Sequence, residues 1–351
     1  MGQRMDGDFR WGIWGTGTIA RAFADDIKAA PGMCVAAVCS RKQETAATFR
    51  HRISAQKAYC NADAFLADPD IDAIYIASPS AMHVPQTMQA IAAGKPCLVE
   101  KPLSLDAAGA RQIKSASQTQ TVFAMEALWS RFLPAIKAAK RHIDNGRIGT
   151  IRHIEADLSY FRAYDPQSRF FSSDLGGGAA FDLGVYPVSL ALYLMGMPDQ
   201  VDGRLQRSES GVDLRSEFEL HWAQATASLS CGFDRDGSNH MLIAGTRGSL
   251  LIHAPFLKAQ RLTWFSAGSG RWPLELSAGN GIFGKIIKRL PLPGRRIESY
   301  PFSGNGLQFQ AEAVRDAVRS GKISNPVMPL EHSIAVADII GKVLSQDEAL
   351  F

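Results

Sequence analysis

The first third of the 351-residue chain alternates short apolar runs with segments whose apolar residues recur at helical spacing. Runs such as AIYIA contain no polar position to face water, which is typical of strands buried inside a parallel sheet. Strands are predicted at residues 33–39, 72–77, 96–100 and 121–125, and helices at 84–93 and 106–117. Regular alternation of this kind predicts an α/β fold with a doubly wound parallel sheet, a Rossmann domain, over residues 9–126.

From about residue 151 the pattern changes to alternating apolar and polar positions, as in IRHIEADLSYF (151–161) and RSEFELHWA (215–223). A period of two is typical of antiparallel strands with one face on a core. We predict a C-terminal α+β domain over residues 127–351, with a large, mostly antiparallel open sheet and closing helices at 307–320 and 331–345. Residues 179–198 have the length and apolar character of a membrane span, but Asp182 and Pro187 interrupt them, which favours a buried helix.

A glycine-rich turn joins the first strand to the first helix. FRWGIWGTGT (9–18) leads from an apolar strand into the pattern G-x-G-x-x-A, made by Gly15, Thr16, Gly17, Thr18, Ile19 and Ala20. Gly15 permits a tight turn and Gly17 lets the backbone approach a pyrophosphate, while the helix N-terminus offers N–H groups to the anion. This context predicts that residues 15–19 bind a dinucleotide; the alternative is a glycine turn without a ligand.

The end of the second predicted strand indicates which dinucleotide. An NAD site usually carries an acidic residue there, because a carboxylate binds the ribose hydroxyls. Here the strand ends in Ser40 and Arg41, and the first acidic residue is Glu44. A hydroxyl and a guanidinium favour a 2′-phosphate, so we predict NADP rather than NAD. Alternatively, Ser40 and Gln43 form a helix capping box and Arg41 faces water.

Composition narrows the possible partners. The chain has 38 Lys and Arg against 34 Asp and Glu, a net charge of +4 that is too small to indicate nucleic acid as a partner. Its five cysteines include no C-x-x-C pair and no metal-ligand spacing, which favours reduced thiols and no metal site. The first residues lack the apolar core of a secretory signal, so we expect a cytoplasmic protein with no membrane partner.

Three stretches together resemble the Gfo/Idh/MocA oxidoreductases. They are IASPSAMHVPQTMQAIAAGKPCLVEKP (76–102), MEALWSRFLP (125–134) and GGGAAFDLGVYP (176–187). The triplet Glu100, Lys101 and Pro102 matches the best-known mark of the family. The second and third stretches are similar to the branch that contains dihydrodiol dehydrogenases, NADP-dependent xylose dehydrogenases and 1,5-anhydrofructose reductases. The resemblance covers nearly the whole chain.

The resemblance implies a set of site residues. The catalytic lysine of the family falls on Lys101, and the pattern D-x-G-x-Y falls on Asp182, Gly184 and Tyr186. Tyr186 would be the acid–base group, and a nearby Lys101 ammonium would lower the pKa of its phenol. Asp182 would orient Lys101 or bind a substrate hydroxyl. Further cofactor contacts are expected from Ser78, Pro79, His83, Glu100 and Lys101, and further substrate contacts from Trp129 and Arg131; Phe161 and Arg169 are weaker candidates.

Each of these residues also has a structural interpretation. Asp182 and Tyr186 are four residues apart and share a helix face, but Asp182 is also suited to cap a helix and Tyr186 to a buried position. Lys101 at a strand end and Arg131 are both compatible with solvated charges, and Trp129 with core packing. A lone histidine such as His83 is more often a structural hydrogen-bonding residue than part of a binding pocket.

We therefore expect an NADP-dependent oxidoreductase that moves hydride between nicotinamide and a secondary alcohol or carbonyl of a sugar or cyclic diol. The alternatives are a catalytically silent regulator that senses NAD(P) or sugar, and a glycosidase that uses NAD transiently. The resemblance also implies a homodimer or higher homo-oligomer, formed through the open face of the second sheet. A basic segment at 283–296 suits an anionic substrate or partner, or is a solvated loop.

Overall fold

Two β-sheets organise the chain, and the computed structural model describes residues 7–268 and 294–346. The first sheet contains β1 (Phe9–Trp14), β2 (Met33–Cys39), β3 (Lys57–Tyr59), β4 (Ala73–Ile76), β5 (Cys97–Val99) and β6 (Ala124–Glu126). Its helices are α1 (Thr18–Ala29), α2 (Gln43–Ile53), α3 (Ala62–Leu66), α4 (His83–Ala92) and α5 (Ala107–Gln120). The strand order is β3-β2-β1-β4-β5-β6 and every pair is parallel, so the predicted Rossmann sheet is confirmed.

The strand order places the ligand crevice. The chain runs outward from β1 in one direction through β2 and β3, and in the other through β4, β5 and β6. Where the order reverses, neighbouring connections leave on opposite faces and open a crevice at the carboxyl ends of the strands. The turn after β1 and the residues after β4 and β5 all lie at this edge.

The second sheet contains β7 (Ile151–Ser159), β8 (Gln200–Arg207), β9 (Asp213–Trp222), β10 (Ala225–Gly232), β11 (Met241–Gly245), β12 (Gly248–Ile252), β13 (Arg261–Ser266) and β14 (Arg295–Ser299). Its order is β14-β13-β12-β11-β7-β10-β9-β8, with β7 and β10 parallel and the other neighbouring pairs antiparallel. The accompanying helices are α6 (Pro134–Asp144), α7 (Val185–Met195), α8 (Gln308–Arg319) and α9 (Leu330–Leu344). The mostly antiparallel sheet is thus confirmed.

The most apolar segment is a core helix. By length and composition, residues Ser173–Met195 could cross a membrane, with a mean hydropathy of 1.4 in their 18-residue apolar window. However, 83% of that 18-residue window is buried inside the protein. α7 lies on β7 and β10 and buries nine of its eleven residues. The segment is apolar because it is covered by protein on nearly all sides.

The last two helices return to the first domain. Asp26 of α1 is buried and accepts hydrogen bonds from the backbone N–H groups of Asn305 and Leu307, just before α8. Leu330, at the start of α9, joins the core of the first sheet. The boundary at residue 126 remains a prediction, and the described C-terminal helices pack across it.

One local alternative is contradicted by the structure, and another prediction lies mostly outside the described residues. Helix α2 begins at Gln43 without a side-chain cap, and the N–H of Ser40 donates to the Tyr59 carbonyl at 3.0 Å, so the capping box does not form. Of the basic segment 283–296, residues up to 293 lie outside the described residues. Arg295 and Arg296 begin β14, where Arg296 Nε lies 3.3 Å from Glu298 Oε1.

Candidate active site

Lys101 lies at the junction of the two domains. It follows β5 by two residues, at the carboxyl edge of the first sheet, and the peptide bond to Pro102 is cis. Its Nζ donates to Asp182 Oδ1 at 2.9 Å and to the Asp182 carbonyl at 2.5 Å. Both side chains are largely buried, 15% and 17% exposed. The sequence interpretation of Lys101 as a solvated charge is therefore wrong.

A π-helical turn presents Asp182, and the start of α7 presents Tyr186. Residues Ala180–Gly184 form a π-helical turn that leads directly into α7. Pro187 has no N–H, so it cannot donate to the carbonyls four and five residues before it. The second of these is the Asp182 carbonyl, which Lys101 reaches instead. Such π-turns concentrate at functional sites, and this one fixes Lys101 through both the backbone and the side chain of one residue.

Gly178, just before this turn, makes room for a buried carboxylate. Asp213 of β9 accepts the Ala180 N–H at 2.7 Å and the Ser216 hydroxyl at 2.8 Å. A Cβ at Gly178, whose φ is +110°, would fall 2.1 Å from Asp213 Oδ1. Gly178 thus lets Asp213 cap the start of the turn that carries Asp182.

Tyr186 is buried against the same lysine. Its ring centroid lies 5.2 Å from Lys101 Nζ, and its hydroxyl accepts a hydrogen bond from Trp129 Nε1 at 3.2 Å. Burial raises the pKa of Tyr186 above its ordinary value of 10.0, and the Lys101 ammonium lowers it only in part. The expected net lowering of this pKa is therefore wrong, because desolvation outweighs a single ammonium that Asp182 already neutralises. The phenol is protonated at neutral pH.

The ion pair holds both of its members charged. Burial would raise the pKa of Asp182, but the Lys101 ammonium, with Arg169 and Arg162, outweighs it and lowers the pKa below 3.8. Burial would likewise lower the pKa of Lys101, but the Asp182 carboxylate outweighs that effect and raises the pKa above 10.5. At neutral pH the site holds an ammonium, a carboxylate and a neutral phenol.

Glu100 lies behind Lys101 and faces the first domain. Its carboxylate accepts the hydroxyl hydrogen of Tyr75 and the backbone N–H of Lys101. Burial raises the pKa of Glu100 to about 7, although those hydrogen bonds oppose the shift. Glu100 thus supports the turn that carries Lys101, and no described contact points it toward the crevice.

The glycine turn after β1 fits a dinucleotide pyrophosphate. Gly15, with φ +122°, packs so tightly on Ala77 that a Cβ would lie 2.4 Å from the Ala77 carbonyl oxygen, whereas a Cβ at Gly17 would meet nothing within 4 Å. Gly17, Thr18 and Ile19 are exposed. The first turn of α1 has no acidic residue and no side-chain cap, so its N–H groups and partial positive charge remain available to an anion.

The remaining predicted cofactor residues surround this turn. Ser40 and the exposed Arg41 directly follow β2, on the side where the second ribose of a bound dinucleotide would lie. Ser78 and Pro79 follow β4, and the Ser78 hydroxyl donates to Gln86 Oε1 at 2.6 Å. The loop holding Ser78 therefore borders the crevice from the middle of the sheet.

His83 connects two of these segments. It is 1% exposed, with Nδ1 2.7 Å from the Pro102 carbonyl oxygen and Nε2 2.9 Å from the Ser78 carbonyl oxygen. Burial lowers the pKa of His83, so the neutral ring donates to one of the two carbonyls. The described contacts favour a bridge between the Ser78 loop and the Lys101–Pro102 turn.

Arg131 lies in the protein interior rather than at the predicted substrate site. The residue is 0% exposed, and its guanidinium donates to Ser189 Oγ, the carbonyls of Ser189 and Val327, and His332 Nδ1 at 2.6–2.9 Å. Burial lowers its pKa to about 9, which leaves the group charged at neutral pH. Four of the five N–H donors of this buried guanidinium are matched to protein acceptors, so Arg131 joins α7 to α9 instead of facing substrate.

Two other arginines lie where Arg131 was expected. Arg162 follows β7, with Nη2 3.8 Å from Asp182 Oδ2, and Arg169 has Nη2 4.0 Å from Asp182 Oδ1. Sequence reasoning placed Arg169 among weak candidates and missed Arg162. Its only signal was a basic residue directly after a strand and beside Phe161, which is 62% exposed.

No group of three or more His, Cys, Asp or Glu among residues 7–268 and 294–346 is placed to hold a metal ion. The Rossmann sheet, the glycine turn and the site at the domain junction define an NAD(P)-binding oxidoreductase. Residues 9–127 match the family described as "Oxidoreductase family, NAD-binding Rossmann fold", and residues 136–251 match the "GFO/IDH/MocA C-terminal domain". The chain belongs to the Gfo/Idh/MocA oxidoreductase family, as its sequence motifs predict.

Relatives cover almost the entire chain. Trans-1,2-dihydrobenzene-1,2-diol dehydrogenase of Mus musculus is 30% identical over 336 residues, 94% of each protein. Levoglucosan dehydrogenase, solved with NADH and levoglucosan, shares the fold with a TM-score of 0.80 at 22% identity over 96% of each chain. The 3-ketoreductase KijD10 from Actinomadura kijaniata, solved with NADP and TDP-benzene, gives 0.77 at 24% identity over 96% of this chain and 97% of its own.

Proposed function

We propose that the protein is an NADP-dependent oxidoreductase that moves hydride between nicotinamide and a secondary alcohol or carbonyl carbon of a sugar or cyclic diol. The observation that carries this proposal is the meeting of Lys101, Asp182 and Tyr186 at the carboxyl edge of the Rossmann sheet. The names of the mouse relative and of levoglucosan dehydrogenase support a substrate that carries adjacent or cyclic hydroxyls.

Tyr186 is the acid–base group in this proposal. When bound, the nicotinamide supplies or accepts the hydride. A neutral phenol with a raised pKa donates a proton to the substrate oxygen as a carbonyl is reduced, and it accepts one in the reverse reaction. The Lys101 ammonium stabilises negative charge on either oxygen, Asp182 holds the ammonium in place, and Trp129 orients the phenol.

The choice of NADP rests on the end of β2. Arg41 is exposed there beside Ser40, and no acidic residue occupies the ribose-binding position. Levoglucosan dehydrogenase was solved with NADH and KijD10 with NADP, so Arg41 itself supports this part of the proposal.

The first experiment follows reduced nicotinamide absorbance with NADP or NAD against aldoses, inositols, anhydrosugars and cyclic diols. We expect signal with NADP and one substrate group, and Tyr186→Phe should lower kcat about 10²–10⁴-fold while NADP binding stays unchanged. Tyr193→Phe, two turns further along α7, is the matched control. Full activity in Tyr186→Phe would remove this residue from the mechanism. No change in nicotinamide absorbance with any compound would favour the regulator or the glycosidase. Tightly bound NAD in the purified protein would then favour the glycosidase.

Cofactor choice has its own test. Arg41→Ala should weaken NADP binding at least tenfold more than NAD binding, because only NADP carries the 2′-phosphate. Arg52→Ala, an exposed arginine at the end of α2, is the control. Equal weakening of both nucleotides by Arg41→Ala would contradict the assignment.

We also propose a cytoplasmic homodimer that associates through the outer face of the eight-stranded sheet. Light scattering during size-exclusion chromatography would return twice the 38.1 kDa chain mass if this is correct. A mass of 38.1 kDa at micromolar concentration would contradict it.

A further inference from the structure

Three cationic side chains surround the single carboxylate of Asp182. Lys101 Nζ lies 2.9 Å from Oδ1, Arg162 Nη2 3.8 Å from Oδ2, and Arg169 Nη2 4.0 Å from Oδ1. Only the first distance is that of a hydrogen bond. One carboxylate offsets one of three positive charges, and Glu100, behind Lys101, offsets at most one more. The site therefore keeps a net positive charge of one to two before substrate enters.

Arg162 is held against aromatic rings, while its Nε has no acceptor within the part of the chain that the structure describes. Its guanidinium carbon lies 3.7 Å from the ring centroid of Phe170 and 5.3 Å from that of Phe233. Within residues 7–268 and 294–346, Arg162 Nε is buried with no hydrogen-bond partner. Buried donors normally find acceptors, so this guanidinium has hydrogen-bonding capacity unused beside the Lys101–Asp182 pair.

Arg169 brings a second guanidinium to the same aromatic ring. Its guanidinium carbon lies 4.1 Å from the Phe170 ring centroid, and 64% of its side chain is exposed. The two like charges repel each other. Among the described residues, the carboxylate within 4.0 Å of both is Asp182, whose short hydrogen bond goes to Lys101 instead. Asp236 accepts the N–H of Phe161 nearby, but among the described residues no ion pair within 4.0 Å joins it to Arg162.

We propose that Arg162 and Arg169 bind an anionic group of the substrate, a carboxylate or a phosphate, carried near the carbon that exchanges hydride. Planar guanidinium groups bind such anions through paired hydrogen bonds, which neutral hydroxyls cannot match in strength. The substrate is then an acidic sugar, a sugar phosphate or an acidic cyclic diol rather than a neutral polyol. This inference rests on the proposed hydride transfer and specifies its substrate class.

The test compares matched anionic and neutral substrates in the NADP assay. The pairs are D-glucuronate and D-glucose, D-galacturonate and D-galactose, and D-glucose 6-phosphate and D-glucose. We expect one anionic member to exceed its neutral partner at least tenfold in kcat/KM. The uronates and the phosphate distinguish a carboxylate from a phosphate. Equal rates for both members of every active pair would overturn the inference while leaving the proposed function intact.

Variants then assign the discrimination to the two arginines. Arg162→Gln and Arg169→Gln should each lower kcat/KM for the anionic substrate about tenfold and for its neutral partner less than twofold. Arg162→Lys, which keeps charge without the paired donors, should fall between wild type and Arg162→Gln. Arg52→Gln is the control, and the thermal midpoint shows whether each variant folds. Unchanged discrimination in both glutamine variants would contradict the assignment.

If no pair turns over, the proposed function fails for these compounds and binding decides the inference. Titration calorimetry of the NADP-loaded protein with D-glucuronate and D-glucose 6-phosphate provides that readout. Binding that is lost in Arg162→Gln and weakens with added salt supports an anion site. No binding of either anion at 10-fold the concentrations of the kinetic panel overturns it.

Discussion

The Lys101–Asp182 pair is the contact on which the active-site geometry depends most directly, and a double-mutant cycle measures it. The four proteins are wild type, Lys101→Met, Asp182→Asn and the double variant. Asp182→Asn keeps the carbonyl that Lys101 also contacts, so the cycle isolates the charge interaction from the backbone hydrogen bond. Each protein is unfolded with urea, and the coupling energy is the part of the double effect that the single effects do not account for.

The magnitude follows from distance and burial. At 2.9 Å and an effective dielectric constant of about 20, the attraction is about 6 kcal/mol, which desolvation of two largely buried groups partly cancels. We expect a coupling energy of about 2–3 kcal/mol. The two single variants should differ in how far they lower the free energy of unfolding. Lys101→Met leaves Asp182 with Arg162 and Arg169 nearby. Asp182→Asn removes the carboxylate that lies within 4.0 Å of all three cations and should cost about 3–5 kcal/mol.

The pH dependence of this pair has a defined sign. The pKa of Asp182 is lowered from 3.8, so its contribution is complete above that value and is lost as the pH falls through the folded pKa. The pKa of Lys101 is raised from 10.5, so its contribution is complete below that value and is lost as the pH rises through the folded pKa. The coupling should therefore be constant between about pH 5 and 9.

Fluorescence and circular dichroism should follow each urea transition together, because coincident transitions are required before free energies are compared. A coupling energy below about 0.5 kcal/mol would refute the reasoning, since it is no more than distant, independent residues show. If Asp182→Asn lowers the free energy of unfolding less than Lys101→Met does, the argument that three cations depend on the Asp182 carboxylate is refuted.

Three further changes test other parts of the structure. Arg131→Leu should lower the free energy of urea unfolding by about 3–5 kcal/mol, because the Ser189 carbonyl and other buried acceptors lose a charged donor. The kcat per folded molecule should change less than threefold. A large loss of kcat without loss of stability would instead place Arg131 in the substrate site. Burial raises the pKa of Glu100 from 4.5 to about 7, so the stability that its protonation contributes is complete below pH 4.5 and is lost as the pH rises through 7. The loss is about 3 kcal/mol, at 1.36 kcal/mol per unit of pKa. Glu100→Gln should flatten this part of the pH profile of the free energy of urea unfolding, and an unchanged slope would contradict the shift. Gly15→Ala should weaken NADP binding more than tenfold in a fluorescence titration, because a Cβ would lie 2.4 Å from the Ala77 carbonyl oxygen, and wild-type affinity would contradict the tight turn.

The sequence predicts the first domain well because its signals are local. Period, glycine turns and strand–helix alternation locate the strands to within a few residues, and the carboxyl edge of the sheet follows from topology alone. Lys101 falls at that edge because its strand ends two residues earlier. The spacing of Asp182 and Tyr186 likewise predicts one helix face, and both reach Lys101 in the structure.

The errors arise where long-range packing decides. Nothing near Arg131 in sequence reveals that Ser189, Val327 and His332 supply its acceptors, since they lie 58 to 201 residues away. The direction of the Tyr186 pKa depends on complete burial as much as on Lys101, and a sequence does not give the balance between the two. Arg162 was missed because its relation to Asp182 exists only after β7 and the π-helical turn are packed together.

The structure also indicates why the site needs contacts far from the crevice. Lys101 belongs to the first domain, while Asp182 and Tyr186 belong to the second, so any sliding between domains separates the groups that must act together. Asp26 binds the chain before α8 on one side of this junction, and Arg131 binds α7 to α9 on another. Because α9 packs on α5 and β6 of the first domain, these buried charges hold α7 at a fixed distance from β5. The precision of the Lys101–Asp182 contact is thus a property of the whole domain interface, and the ion pair alone would be too short-ranged to impose it.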